Sequence, residues 1–100
     1  MSPDAVQIAC SLDAAGQRAR GRDWSAIADL ALDRHWDGDT LRLAFANDAD
    51  VAADITRLAV LEQKCCPFFS FTVRVDAGTL TLDVTAPPEA RELVSALLAG

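Results

Sequence analysis

Apolar residues along the 100-residue chain follow two rhythms. Val6, Ile8, Cys10 and Leu12 alternate with other residues, as do Leu41, Leu43 and Phe45. Phe69, Phe71, Val73 and Val75 alternate again, and so do Leu80, Leu82 and Val84. Alternation of this kind predicts strands with one buried face. Helical spacing covers the remainder. Asp13 caps a predicted helix over 14–35 whose stripe is Trp24, Ile27, Ala28, Leu30 and Ala31. Val51, Ile55, Leu58 and Ala59 share one face of a second helix that runs to the cysteines. Pro87 and Pro88 open a third, with Ala90, Leu93, Val94 and Leu97 inward.

The joints carry turn chemistry. Asp37-Gly38-Asp39 breaks the chain before the second predicted strand, and Ala77-Gly78 joins the last two strands into a hairpin. The expected order is strand, helix, strand, helix, hairpin, helix. Because every strand alternates, one sheet face should be covered and the other polar, which favours antiparallel pairing. The expectation is a single α+β domain over 1–100: a mainly antiparallel four-stranded sheet with helices packed on one face.

Composition narrows the function classes. The chain is 51% apolar and 24% charged, which suits an ordinary globular domain. A net charge of −6 argues against general affinity for nucleic acid or an anionic membrane. No apolar stretch approaches the roughly 20 residues that span a bilayer. The start, MSPDAVQIAC, lacks the basic region and apolar run of a secretion signal, so a cytoplasmic location is expected. Thiols stay reduced there, which turns the three cysteines toward metal binding, catalysis or packing.

Chemistry concentrates in residues 62–71, EQKCCPFFSF. With Val51 at zero on the helical wheel, Ile55 falls at about 40°, Leu58 at about −20° and Glu62 at about 20°. Cys65 falls at about −40°, and Cys66, were it still helical, at about 60°. Glu62 therefore occupies the middle of an apolar stripe, angularly between the two thiols. A buried carboxylate needs protonation, an arginine partner or a bound cation. Arg18, Arg20 and Arg22 form a basic cluster that could supply the partner, hold an anion or simply face solvent. Pro67 stops the helix near Cys65 and unwinds the backbone where two adjacent sulfurs would otherwise splay.

Soft thiolates favour Cu(I) and Zn(II) and, by extension, Hg(II) or As(III). Cys65 and Cys66 with Cys10 would make a three-thiol set; with Glu62 they would make a mixed one. His35 is expected as a surface or core residue, not a ligand. A redox role suits the pair less, because the helix C-terminal dipole opposes thiolate formation. A bound ion would displace the protons itself. No organic cofactor is indicated. Packing is the alternative: cysteine is a small hydrophobe, and Phe68, Phe69 and Phe71 would serve an ordinary core equally well.

IACSL near the start, an arginine-bearing helix with a tryptophan, and LEQKCCPFFSF before a hairpin together resemble a family of small bacterial proteins with an E-x-x-C-C-P-F-F signature. Its members stand alone or are fused behind the helix-turn-helix of MerR-type regulators. On that motif Glu62, Cys65, Cys66, Pro67 and Phe68 carry over, and Cys10 matches the early cysteine. The association with regulators that sense thiophilic metals implies soft-metal or metalloid binding and a heavy-metal response. This chain lacks the helix-turn-helix, so a DNA-binding regulator of that kind is not expected. Two other functions stay open. One is a structural or dimerisation domain, such as a homodimer, whose cysteines merely pack. The other is a small enzyme of organomercurial-lyase-like logic, in which thiolates hold the metal and Glu62 protonates carbon.

Overall fold

In the structure, a computed structural model that describes residues 14–99, two hairpins lie side by side, each followed by a helical segment. Helix α1 covers Ala14–Asp29, and strands β1 (Asp33–Asp37) and β2 (Thr40–Ala46) form the first hairpin. Helix α2 covers Ala49–Cys65, and β3 (Ser70–Asp76) and β4 (Thr79–Thr85) form the second. The chain closes with a 3₁₀ turn at Pro88–Ala90, the short helix α3 at Arg91–Val94 and a π-helical turn at Ser95–Ala99. The sheet has the order β1-β2-β4-β3, and all its pairings are antiparallel. The α+β class and the four-stranded antiparallel sheet are as expected.

Which segments build that sheet differs from expectation. The predicted strand over Val6–Leu12 lies outside the described residues. The helix predicted over 14–35 ends at Asp29 instead, and Asp33–Asp37 pairs with β2. The described order is therefore helix, strand, strand, helix, strand, strand, helix. The reason is local. Leu30 and Ala31 donate to the carbonyls of Ile27 and Ala28 in a tight final turn, and the Leu32 amide already donates to Ala44 of β2 at 2.7 Å. Arg34 donates to the Ala28 carbonyl at 2.7 Å and occupies one of the acceptors that the helix end exposes. In DRHWD only Trp36 is strongly apolar, so the strand has no alternation of its own to display.

Burial follows the alternation elsewhere. Leu41, Leu43 and Phe45 of β2 stand opposite Val84, Leu82 and Leu80 of β4, and all six are buried. They meet Trp24 and Ile27 of α1, Ile55 and Leu58 of α2, and Val94 and Leu98 of the C-terminal segment in one core. Ala90 and Val94 point inward as predicted, but Leu98 is more deeply buried than Leu97. The wider winding of the π turn shifts the inward phase by one residue. Both turns are glycine-dependent. Gly38 has φ +62°, and Ala77 and Gly78 have φ +53° and +76°, the left-handed pair that a type I′ hairpin demands.

The C-terminal segment is tied to the β1 corner. Arg91 lies 3.9 Å over the Trp36 ring and donates to the Gly38 carbonyl at 2.9 Å. Arg34 reaches the Leu98 carbonyl at 3.1 Å. Among the described residues, no helix is long and apolar enough to cross a membrane.

The opposite sheet face is polar. Directly across it, Arg42 grips Asp83 through Nε–Oδ1 at 2.8 Å and Nη2–Oδ2 at 3.0 Å. These bonds hold the Asp83 carboxyl below the ordinary carboxylate range; partial burial opposes them, and the Arg42 charge adds to them. A depressed folded value contributes stability that is present above the unfolded carboxyl's value of about 4. That contribution is lost as pH falls through the lower folded value. Denaturant unfolding at stepped pH should therefore show an acid-side loss of stability that Asp83→Asn flattens, leaving the neutral-to-basic limb unchanged in slope.

Candidate thiol and carboxylate site

Asp48 starts α2 by accepting from the amides of Asp50 at 2.8 Å and Val51 at 3.1 Å, which sets the phase of everything that follows. Four residues of that helix are buried: Ile55, Leu58, Ala59 and Glu62. Glu62 is thus where the helical wheel puts it, inside the core at 3% exposure. The helix stops at Cys65. The Cys66 amide still donates to the Glu62 carbonyl at 2.7 Å, but Cys66 has already left helical geometry at φ −129° and ψ 78°. Pro67 imposes that departure, since the residue before a proline is driven out of the helical region. The Phe69 amide then donates back to the Cys66 carbonyl at 3.1 Å, which turns the chain into β3.

Of the three ways to accommodate Glu62, the arginine partner is present. Trp24 Nε1 donates to Glu62 Oε1 at 2.8 Å, and Arg20 Nη1 donates to the same oxygen at 3.3 Å. Arg20 and Trp24 are four residues apart on α1, so they rise from one face and meet α2 together. Both side chains of the ion pair are removed from water, with 14% of Arg20 and 4% of Glu62 exposed. The Trp24 ring is wholly buried and stacks parallel to Phe71, with centroids 5.7 Å apart and planes 5° apart. Phe71 leads on to Phe69 at 5.8 Å, and Phe69 to Phe68 at 4.7 Å.

The two thiols occupy different surroundings. Cys66 is 1% exposed and belongs to the core, whereas Cys65 is half-buried. Arg20 faces Cys65 as well as Glu62. Burial works against the Arg20 charge, but the Glu62 carboxylate and a hydrogen bond to Cys65 outweigh it and leave the guanidinium above its ordinary value. One cation thus serves a carboxylate and a sulfur.

Comparison with protein-family models, with curated proteins and with solved structures finds no match to this chain.

The remaining predicted residues separate cleanly. Cys10 lies outside the described residues. His35 is on the polar sheet face, 53% exposed, with Asp33 Oδ2 3.6 Å from its Nδ1, as a surface residue should be. Among the described residues, no group of three histidine, cysteine or carboxylate side chains converges to hold an ion. Trp24 as a donor is not in the sequence-based set, and Arg20 entered it only as one of three arginines that could partner Glu62. A signal for both exists. An indole N–H in an apolar stripe requires a partner when buried, and Glu62 is the acid in the facing stripe.

Proposed function

We propose that the chain binds a soft metal or metalloid ion through Cys65 and Cys66. The observation that carries this reading is the end of α2, where the helix stops at the half-buried Cys65, Cys66 follows outside helical geometry, and Arg20, paired with Glu62 at 3.3 Å, lies near Cys65. Arginine beside the sulfur puts a positive charge next to the place where a metal-bound thiolate would carry negative charge. Cys66 supplies a second sulfur one residue on, where the helix has unwound. Two sulfurs suit soft ions of low coordination demand such as Hg(II) or Cu(I), with As(III) drawing on Cys10 as a third; Zn(II) normally wants four ligands. In this reading Glu62 is the residue that positions Arg20, because its Oε1 already accepts two N–H donors. Those bonds lend no support to Glu62 as the proton donor of an enzyme.

A packing role is the second reading, favoured by the burial of Cys66 among core side chains. Titration with Hg(II), Cu(I), arsenite and Zn(II), with Cys65→Ser, Cys66→Ser and the double variant in parallel, separates the two. Binding tighter than micromolar is expected, and each single serine should weaken it at least about tenfold, or about 1.4 kcal/mol. Affinity unchanged in the double variant overturns the ion reading. If the parent binds no ion, both thiols resist labelling until unfolding, and Cys66→Ser costs about 1–3 kcal/mol of stability, packing is the role.

A further inference from the structure

Among the described strands, β3 lies at one end of the sheet and pairs with β4 alone. It is seven residues long and carries neither of two common blunting devices, a proline or an inward charge. Phe71 and Val73 face the helical side and are half-buried, while Val75 beside them is 61% exposed. Across from them α2 leaves Val60 50% exposed. A groove of about 320 Å³ runs between Thr56, Val60 and Lys64 of α2 and Phe71 and Val73 of β3.

We propose that a second copy of this chain closes the edge, β3 against β3, antiparallel about a two-fold axis at Val73. Symmetric pairing must place residues of the same sheet face opposite one another, which leaves few registers. Centring on Arg74 sets two arginines opposite each other. Centring on Val75 sets Arg74 against Asp76 of the second copy, but only three strand residues then overlap. Centring on Val73 overlaps all seven residues of Ser70–Asp76. On the helical side Phe71 then meets Val75 of the second copy and Val73 meets its own counterpart. On the polar side Ser70 meets Asp76 and Thr72 meets Arg74, with no like charges directly opposed. The strand carries one arginine and one aspartate, so it is neutral within a chain of net charge −6 and two copies can approach there without local repulsion. The same axis brings both Val60 side chains to one side of the joint, over the apolar pairs.

Sedimentation and light scattering of the full chain test this, together with Val75→Lys and Val60→Glu. Both are exposed positions where a charge leaves the monomer fold intact, as circular dichroism verifies. The parent should have the mass of two chains and both variants the mass of one. Hydrogen exchange of the β3 amides that point away from β4 should be at least tenfold faster in the variants. A two-chain mass that persists in both variants overturns the proposal, as does a single-chain parent at every concentration. A single-chain parent with slowly exchanging β3 amides also overturns it and assigns the edge to another segment of the same chain.

Discussion

Replacing Arg20 with methionine is expected to destabilise the fold by about 3 kcal/mol at neutral pH, because it strands a carboxylate in the core. Methionine keeps the apolar stem and its packing on α1, so the loss reports the charge. The figure sits at the low end of what breaking a buried ion pair costs, since Trp24 still donates to Glu62 at 2.8 Å. The control is removal of both partners. Arg20→Met with Glu62→Leu exchanges a buried ion pair for apolar volume, and such exchanges are often neutral or stabilising. Denaturant unfolding should therefore show a lowered midpoint for Arg20→Met and a substantial recovery in the double variant, with the slope constant throughout. A single-variant loss under about 1 kcal/mol would place the pair with surface ion pairs, which contribute little. It would also remove the reason for Arg20 to stand at Cys65.

Part of this site was legible before any coordinates. The position of Glu62 follows from helical phase alone, because Val51, Ile55 and Leu58 define a face and 62 falls on it. The stop at Cys65 follows from Pro67, and the β3–β4 hairpin from alternation around Ala77-Gly78. In each case one local rule acts without competition. The choice of Arg20 over Arg18 and Arg22 needed a further step, the face shared with Trp24 four residues on. Arg18 and Arg22 are both exposed.

Strand β1 was not legible because its pairing is tertiary. DRHWD becomes a strand through the ladder it forms with β2 and through Arg34 holding the end of α1, not through any pattern of its own. Strand order was hidden for a related reason. Alternation says which face is buried but not which strand is the neighbour, so the β2–β4 pairing at the centre of the sheet had no signature.

Trp24→Phe is expected to cost about 2–3 kcal/mol, a loss with two separable parts. The first is the bond from Nε1 to Glu62 Oε1, a hydrogen bond to a charged group and so worth about 1.5–3 kcal/mol. The second is the volume difference in a fully buried position, which the stack on Phe71 limits because a phenylalanine ring can keep that parallel contact. In a Glu62→Leu background the buried indole N–H has already lost this acceptor, so the cost of Trp24→Phe should fall by more than half. Combination with Arg20→Met is the sharper measurement. Both donors end on the same oxygen, so each variant leaves the other donor to stabilise Glu62. The paired variant should lose more than the sum of the singles, with a coupling of about 1 kcal/mol in a double-mutant cycle. Additivity within about 0.3 kcal/mol would mean that the two bonds act on Glu62 independently. With such coupling, Trp24, Arg20 and Glu62 work as one unit, in which the indole and the guanidinium share a single carboxylate oxygen.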